Sequence, residues 1–327
     1  DWSSDVCSSD LRRGSVVWGP PDEVREFLGM DQTQVLRIQK VIYGLLHAPR
    51  AWLEKLGNVL KSHGWYQSRL EPCVWRLYDS NDVLVGLLGA HVDDMLCCGS
   101  GSLYEEKVRL LRSSFPFGSW QHAKSEQITF CGCEISQKAS GDIHVSQERY
   151  ALGINEIQMS THRKTQVDQS TTPFETKQPR ATLGALSWRA TQTCPWICAS
   201  VSILQGSQTQ ATVNDLLQAS KLVRAQRIAC EEVVCFSANI TKPILITYSD
   251  ASWSCRRDGS SQGGQFTVLA DASVLDGSRS SFSPLSWQSR KLPRVARSST
   301  SAEVQMASSA TDTHEFMKQL LIEWFNK

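Results

Sequence analysis

The sequence predicts an α+β fold, and three features carry that prediction. Residues 83–90 read as a buried strand, the acids Asp93 and Asp94 follow, and residues 95–98 form a second apolar stretch ended by Gly99. Residues 183–204 and 213–234 hold apolar positions at helical spacing and read as a connecting helical subdomain. A separate set of strands, 244–248, 265–269 and 284–288, then precedes an amphipathic helix from about residue 301 to 325.

Taken in order, the first 11 residues are polar, lack periodicity and resemble the translation of a sequencing adapter, so they are given no structural role. Over 35–60, Leu45, Ala48, Trp52, Leu56 and Leu60 mark a helix that His63-Gly64 stops. Residues 73–78 alternate as a half-buried strand, with turn chemistry at Asn81-Asp82. A helix is expected over 104–111, and 129–135 with 142–146 are expected to pair around Ser140-Gly141. Residues 158–180 are rich in Thr, Gln, Ser and Pro and poor in large apolar residues, which predicts a linker. The resulting division is 1–11 artefact, 12–157 first domain, 158–180 linker, 181–240 helices and 241–327 last domain.

With 41% hydrophobic and 20% charged residues, the chain can bury real cores. Its longest clean apolar run, 83–90, is far shorter than the roughly 20 residues a membrane helix needs. A net charge of +1 excludes a strongly basic protein, although Arg290, Lys291, Arg294 and Arg297 fall within eight residues without an acid. That loop could track phosphates or simply be solvated. The 11 cysteines show no zinc spacing; Cys97-Cys98 and Cys131-Gly132-Cys133 stand among apolar residues and read as reduced thiols. Trp253 and Trp287 read as core.

The block Tyr43-Gly44-Leu45-Leu46-His47-Ala48-Pro49-Arg50-Ala51-Trp52, followed by His91-Val92-Asp93-Asp94, resembles the copia-type retrotransposon reverse transcriptase. The likeness continues through Gly64-Trp65, Glu71-Pro72, the Phe130 to Ile135 strand and Ser146-Gln147, over roughly residues 16–235. It implies a palm with part of the fingers, then a thumb or connection region. It implies that Asp93 binds metal and Asp94 supports it, with Gly44, Pro49, Arg50 and His91 near template, primer or nucleotide. The alternatives are a hydrophilic turn for the two acids, and helix-start packing and surface charge for Pro49 and Arg50. His91 stands where the family has Tyr or Phe, and His47 where it has Gln. The family's first metal-binding Asp would precede Val16-Val17-Trp18-Gly19-Pro20-Pro21, where the adapter-like segment stands, so this site is expected to be incomplete.

A second stretch, Ile246-Thr247-Tyr248-Ser249-Asp250-Ala251-Ser252-Trp253, with Ser286 to Lys291 and Ser301-Ala302-Glu303, resembles the first part of ribonuclease H in these elements. The likeness implies that Asp250 and Glu303 serve as catalytic metal ligands on one metal pair. Thr300 to Glu303 is also a capping-box pattern, a structural role that competes with the first. The family's next catalytic Asp follows the long helix, so the ribonuclease H-like domain is expected to be C-terminally truncated.

Both chemistries use two divalent cations about 3.5–4 Å apart to stabilise attacking and leaving oxygens, and hard Mg²⁺ prefers carboxylate oxygens. The resemblance therefore implies RNA-directed DNA synthesis and RNA-strand removal with Mg²⁺ or Mn²⁺, weakly bound here. Implied partners are an RNA template, a DNA primer, an RNA/DNA hybrid and nucleoside triphosphates, with no membrane. The setting would be intracellular, in a cytoplasmic virus-like particle or the nucleus. Two alternatives stay open: an inactive remnant with at most nucleic-acid binding, and an unrelated α+β protein whose motifs coincide.

Overall fold

Trp75 has no exposed surface, and one half of the molecule is assembled around it. The computed structural model describes residues 17–37 and 48–326. Two units can be distinguished, residues 1–120 with 320–327, and residues 121–319.

In the first unit, β1 (Val17–Trp18) pairs with β2 (Leu36–Arg37) on either side of α1 (Asp22–Leu28). Helix α2 (Ala48–Ser62) leads into β3 (Tyr66–Gln67), β4 (Val74–Tyr78), β5 (Leu84–His91) and β6 (Asp94–Gly99), followed by α3 (Ser102–Ser114). The four strands form an antiparallel sheet in the order β3-β4-β5-β6. Leu56 and Leu60 of α2, Trp75, Leu77 and Leu88 of the sheet, and Leu111 of α3 share its core. Gly57 makes the contact possible, because a Cβ there would lie 2.9 Å from the Trp75 ring. The unit also takes in Glu323, whose carboxylate accepts from the Ser68 hydroxyl and the Arg69 N–H, both at 2.6 Å. Burial alone would raise the Glu323 pKa; the bonds from Arg69 and Ser68 and the Arg76 charge outweigh it and hold the group below its ordinary value.

The second unit opens with β7 (Ile128–Phe130), β8 (Cys133–Gln137) and β9 (Ile143–Ser146). Helices α4 (Glu148–Gly153), α5 (Thr161–Lys164), α6 (Lys177–Gln192), α7 (Cys198–Gly206) and α8 (Val213–Ile228) follow, then β10 (Val234–Phe236). β10 closes a four-stranded antiparallel sheet in the order β10-β9-β8-β7. The helices bury Leu183, Leu186, Ile197, Val201, Leu216 and Val223 in one cluster. The chain then forms β11 (Pro243–Ser252), β12 (Gln262–Asp271) and β13 (Phe282–Lys291), an antiparallel sheet in that order, and the long helix α9 (Ser299–Phe325).

Three expectations change. The 129–135 stretch is a tight hairpin rather than one strand, because Cys131 and Gly132 turn the chain at φ 49° and 72°. The expected helix over 183–204 is broken at Cys194-Pro195, since proline has no N–H to donate and resists helix interiors. The helix expected to reach 234 stops at Ile228, and Val234 to Phe236 pair with β9 instead.

The segment 158–180, expected as a linker, is tied to the start of α8: the N–H groups of Thr171 and Val213 reach Ala211 O and Gln169 O, both at 2.9 Å. The division between the units falls at residues 120 and 121 instead. Within the segment, Arg163 Nε and Glu175 Oε1 are 2.8 Å apart, with side chains only 16% and 14% exposed. The bond from Arg163, helped by the Thr172 N–H, lowers the Glu175 carboxyl from 4.5 to about 2. A carboxyl depressed on folding contributes stability above its unfolded value and loses it as pH falls through the folded one. Glu175→Gln should therefore lower the urea midpoint at neutral pH, and its gap from the parent should close between pH 4.5 and about 2. A gap independent of pH would show that the pair contributes no linkage.

Candidate active site

The acids Asp93 and Asp94 sit at the tip of the β5–β6 hairpin, where near-continuous apolar runs hold both strands in the sheet. Val92 and Asp93 form the turn, and His91 faces Asp94 across the strands. Val92 adopts φ 54°, a left-handed conformation that costs a side-chain-bearing residue about 1–2 kcal/mol. Such strain persists where the flanking structure over-determines it, and here the β5–β6 ladder does so over six residue pairs. The turn is exposed, Val92 included at 48%. Neither carboxylate has a hydrogen-bond or ionic partner among the described residues. Two uncommitted hard-oxygen groups on a rigid turn fit a hard divalent cation. No group of three or more His, Cys, Asp or Glu side chains able to hold a metal exists among the described residues.

Pro49 and Arg50 lie in the first turn of α2. Arg50 Nε is 2.9 Å from Glu54 Oε1, with both side chains exposed, an i,i+4 pair of small energetic weight. Gly44, His47 and the rest of the Tyr43-Gly44-Leu45 block lie outside the described residues.

Of the second pair of acids, only Glu303 is bonded to the edge of β11. Glu303, in the first turns of α9, accepts from the Ala251 N–H at 3.2 Å, so its carboxylate reaches the residue next to Asp250. The Ser298 hydroxyl caps the helix by accepting from Ser301 N–H at 3.1 Å. Strand alternation separates the side chains. Ala251 packs with Ala302, Met306 and Leu292 on the α9 side, and Thr247, four residues earlier on the same strand face, meets His314 of that helix. Asp250 instead lines a groove between β11–β13 and the Pro195–Ala199 segment.

The basic stretch is partly engaged: Arg290 donates to Ser309 at 2.7 Å and Lys291 pairs with Asp258. Arg294 and Arg297 have no such partner among the described residues and are exposed. Trp253, expected in the core, is 50% exposed and donates to Ala296 O at 2.9 Å, clipping the same loop. No helix among the described residues is long and apolar enough to cross a membrane.

Comparison with known proteins adds a family to this geometry. Residues 19–175 match the family described as reverse transcriptase (RNA-dependent DNA polymerase). That stretch holds Asp93 and Asp94 but neither Asp250 nor Glu303. The chain is similar to the retrovirus-related Pol polyprotein from transposon RE2 of Arabidopsis thaliana, 28% identical over 301 residues, 88% of this chain and 19% of the relative. It is also similar to that from transposon TNT 1-94 of Nicotiana tabacum, 26% identical over 88% of this chain and 22% of the relative. The putative transposon Ty5-1 protein of Saccharomyces cerevisiae is 27% identical over 82% of this chain and 85% of its own length. The chain thus spans about a fifth of the length of the plant relatives. No solved structure matches.

Proposed function

Since residues 19–175 belong to the reverse transcriptase family of retrotransposon Pol proteins, we propose that this chain is a copia-type segment whose β5–β6 hairpin supplies carboxylates for RNA-directed DNA synthesis. The observation that carries the reading is the strained, exposed Val92-Asp93 turn, which fixes two unpartnered acids at the end of a four-stranded sheet. Asp93 is assigned as the principal metal ligand and Asp94 as its support beside the primer end. Bound Mg²⁺ or Mn²⁺ would supply the positive charge that stabilises the attacking and leaving oxygens. The sheet keeps the two carboxylates at a fixed spacing. His91, across from Asp94, flanks the primer side, and Gly44, Pro49 and Arg50 are assigned to template and nucleotide contact. The partners follow: RNA template, DNA primer and nucleoside triphosphates. Two carboxylates alone under-neutralise two cations, so metal affinity in this chain is weak and extension calls for a further acid.

A second reading, favoured by the Glu303–Ala251 hydrogen bond, assigns residues 243–325 to a ribonuclease H-like unit acting on an RNA/DNA hybrid. Asp250 and Glu303 are its metal ligands. The strand alternation requires the Asp250 side chain to swing toward the β11 edge for that role.

Fe²⁺ substituted for Mg²⁺, with ascorbate and peroxide, tests the polymerase reading by cutting the backbone where metal binds. Cuts are expected around residues 91–95, suppressed by excess Mg²⁺ and by Asp93→Asn. Cleavage that ignores Asp93→Asn would place the metal elsewhere.

A further inference from the structure

A groove of ≈ 430 Å³ in the second unit is lined by four aromatic side chains and a single acid, Asp250. Its size falls within the roughly 300–1,000 Å³ of small-molecule sites. Tyr248 and Phe266 line it from the sheet, Trp287 from β13, and Trp196 from the opposite wall. Tyr248 is 57% and Trp196 48% exposed. Both indoles are fixed: Trp196 Nε1 donates to Glu232 at 3.0 Å and Trp287 Nε1 to Ala190 O at 2.8 Å. Gly264 faces Asp250 across the strands, and a Cβ built on it would meet nothing nearer than 3.8 Å. Bare backbone therefore opens the floor beside the acid. Asp250 is the one charged group lining the groove, and its carboxylate has no hydrogen-bond partner among the described residues.

We propose that this groove binds a guanine base, stacked between Tyr248 and Trp196 with its edge on Asp250. Aromatic walls favour a flat ring. An ionised carboxylate only accepts, and its paired oxygens match two adjacent N–H donors. Guanine presents them, at N1 and N2. Adenine and cytosine set one amino donor beside a ring-nitrogen acceptor, and uracil sets its N–H between two carbonyls. With no cation in the lining, a ligand's phosphate stays outside. The site does not depend on the polymerase reading, and it uses Asp250 where it points rather than turned toward Glu303.

The test is binding of nucleosides to the full chain in EDTA, read by ligand-observed NMR. Guanosine should bind about 10- to 100-fold more tightly than adenosine, cytidine or uridine, the discrimination of one bidentate base contact. Gly264→Val, which fills the floor without backbone strain, should abolish binding. Asp250→Asn keeps one acceptor and gains a donor; it should lose guanosine and gain xanthosine, a switch that an unfolded variant could not show. Uridine oligonucleotides carrying a single guanine distinguish the source. Tighter binding than guanosine places the base in a strand, and weaker binding assigns the groove to a free nucleoside or nucleotide; either supports the site. Equal binding of all four nucleosides, or capture of trimethyl-lysine in place of guanosine, would overturn it. Because EDTA removes metal from the assay, a failure here leaves the hairpin reading untouched.

Discussion

Arg189→Ala should destabilise the second unit by about 3–5 kcal/mol, through a cavity and three orphaned acceptors. The Arg189 side chain has no exposed surface. It donates to Gln147 O at 3.3 Å, Thr193 Oγ1 at 3.2 Å and Ala229 O at 3.2 Å. One guanidinium thus joins the residue preceding α4, the end of α6 and the end of α8. No acid pairs with it among the described residues, so the charge is buried on the strength of these bonds alone. Arg189→Met fills most of the volume, removes the buried charge and still leaves the acceptors unmet, so its cost should be smaller, about 1–3 kcal/mol. Urea unfolding followed by tryptophan fluorescence measures both. Equal losses for the two variants would assign the effect to the lost hydrogen bonds rather than to the cavity, and no loss in either would show that the three bonds hold nothing together.

The burial of Arg189 has no signature in its local sequence. At the sequence level it sits among helix-forming residues and looks like any solvent-facing arginine; only the return of the chain at residues 147 and 229 buries it. The β5–β6 hairpin was legible because its apolar runs and acidic turn are local. Cys131-Gly132 was not, since apolar neighbours on both sides hid a turn of two positive-φ residues. β10 was missed because Val234 to Phe236 continue the apolar spacing of α8, while their partner, β9, lies about ninety residues earlier. For Asp250 and Glu303, the pattern placed both acids at one end of the sheet; in the structure Glu303 bonds the Ala251 N–H while Asp250 lines the groove. Strand alternation already set Asp250 and Ala251 on opposite faces. What it could not reveal is which face α9 covers, and therefore that Asp250 opens into a groove walled by Trp196.

The largest expected effect belongs to Asp93→Asn. Asparagine keeps the size and turn propensity of aspartate, so the hairpin and its Val92 strain should survive while one metal-binding charge is lost. Removing a group that stabilises charge only as the reaction proceeds lowers turnover by about 10²-fold or more. Asp94→Asn should cost less, since that residue supports rather than holds the metal. Primer-template binding, which draws on other contacts, should change little in either variant.

The most direct assay is extension of a DNA primer on an RNA template by this chain joined to the preceding Pol segment of the tobacco relative. A metal-binding role for Asp93 predicts Mg²⁺-dependent extension that falls at least about 10²-fold in Asp93→Asn with primer-template affinity retained. Extension unchanged by Asp93→Asn would contradict it, because the hairpin carboxylate would then lie outside the catalytic site.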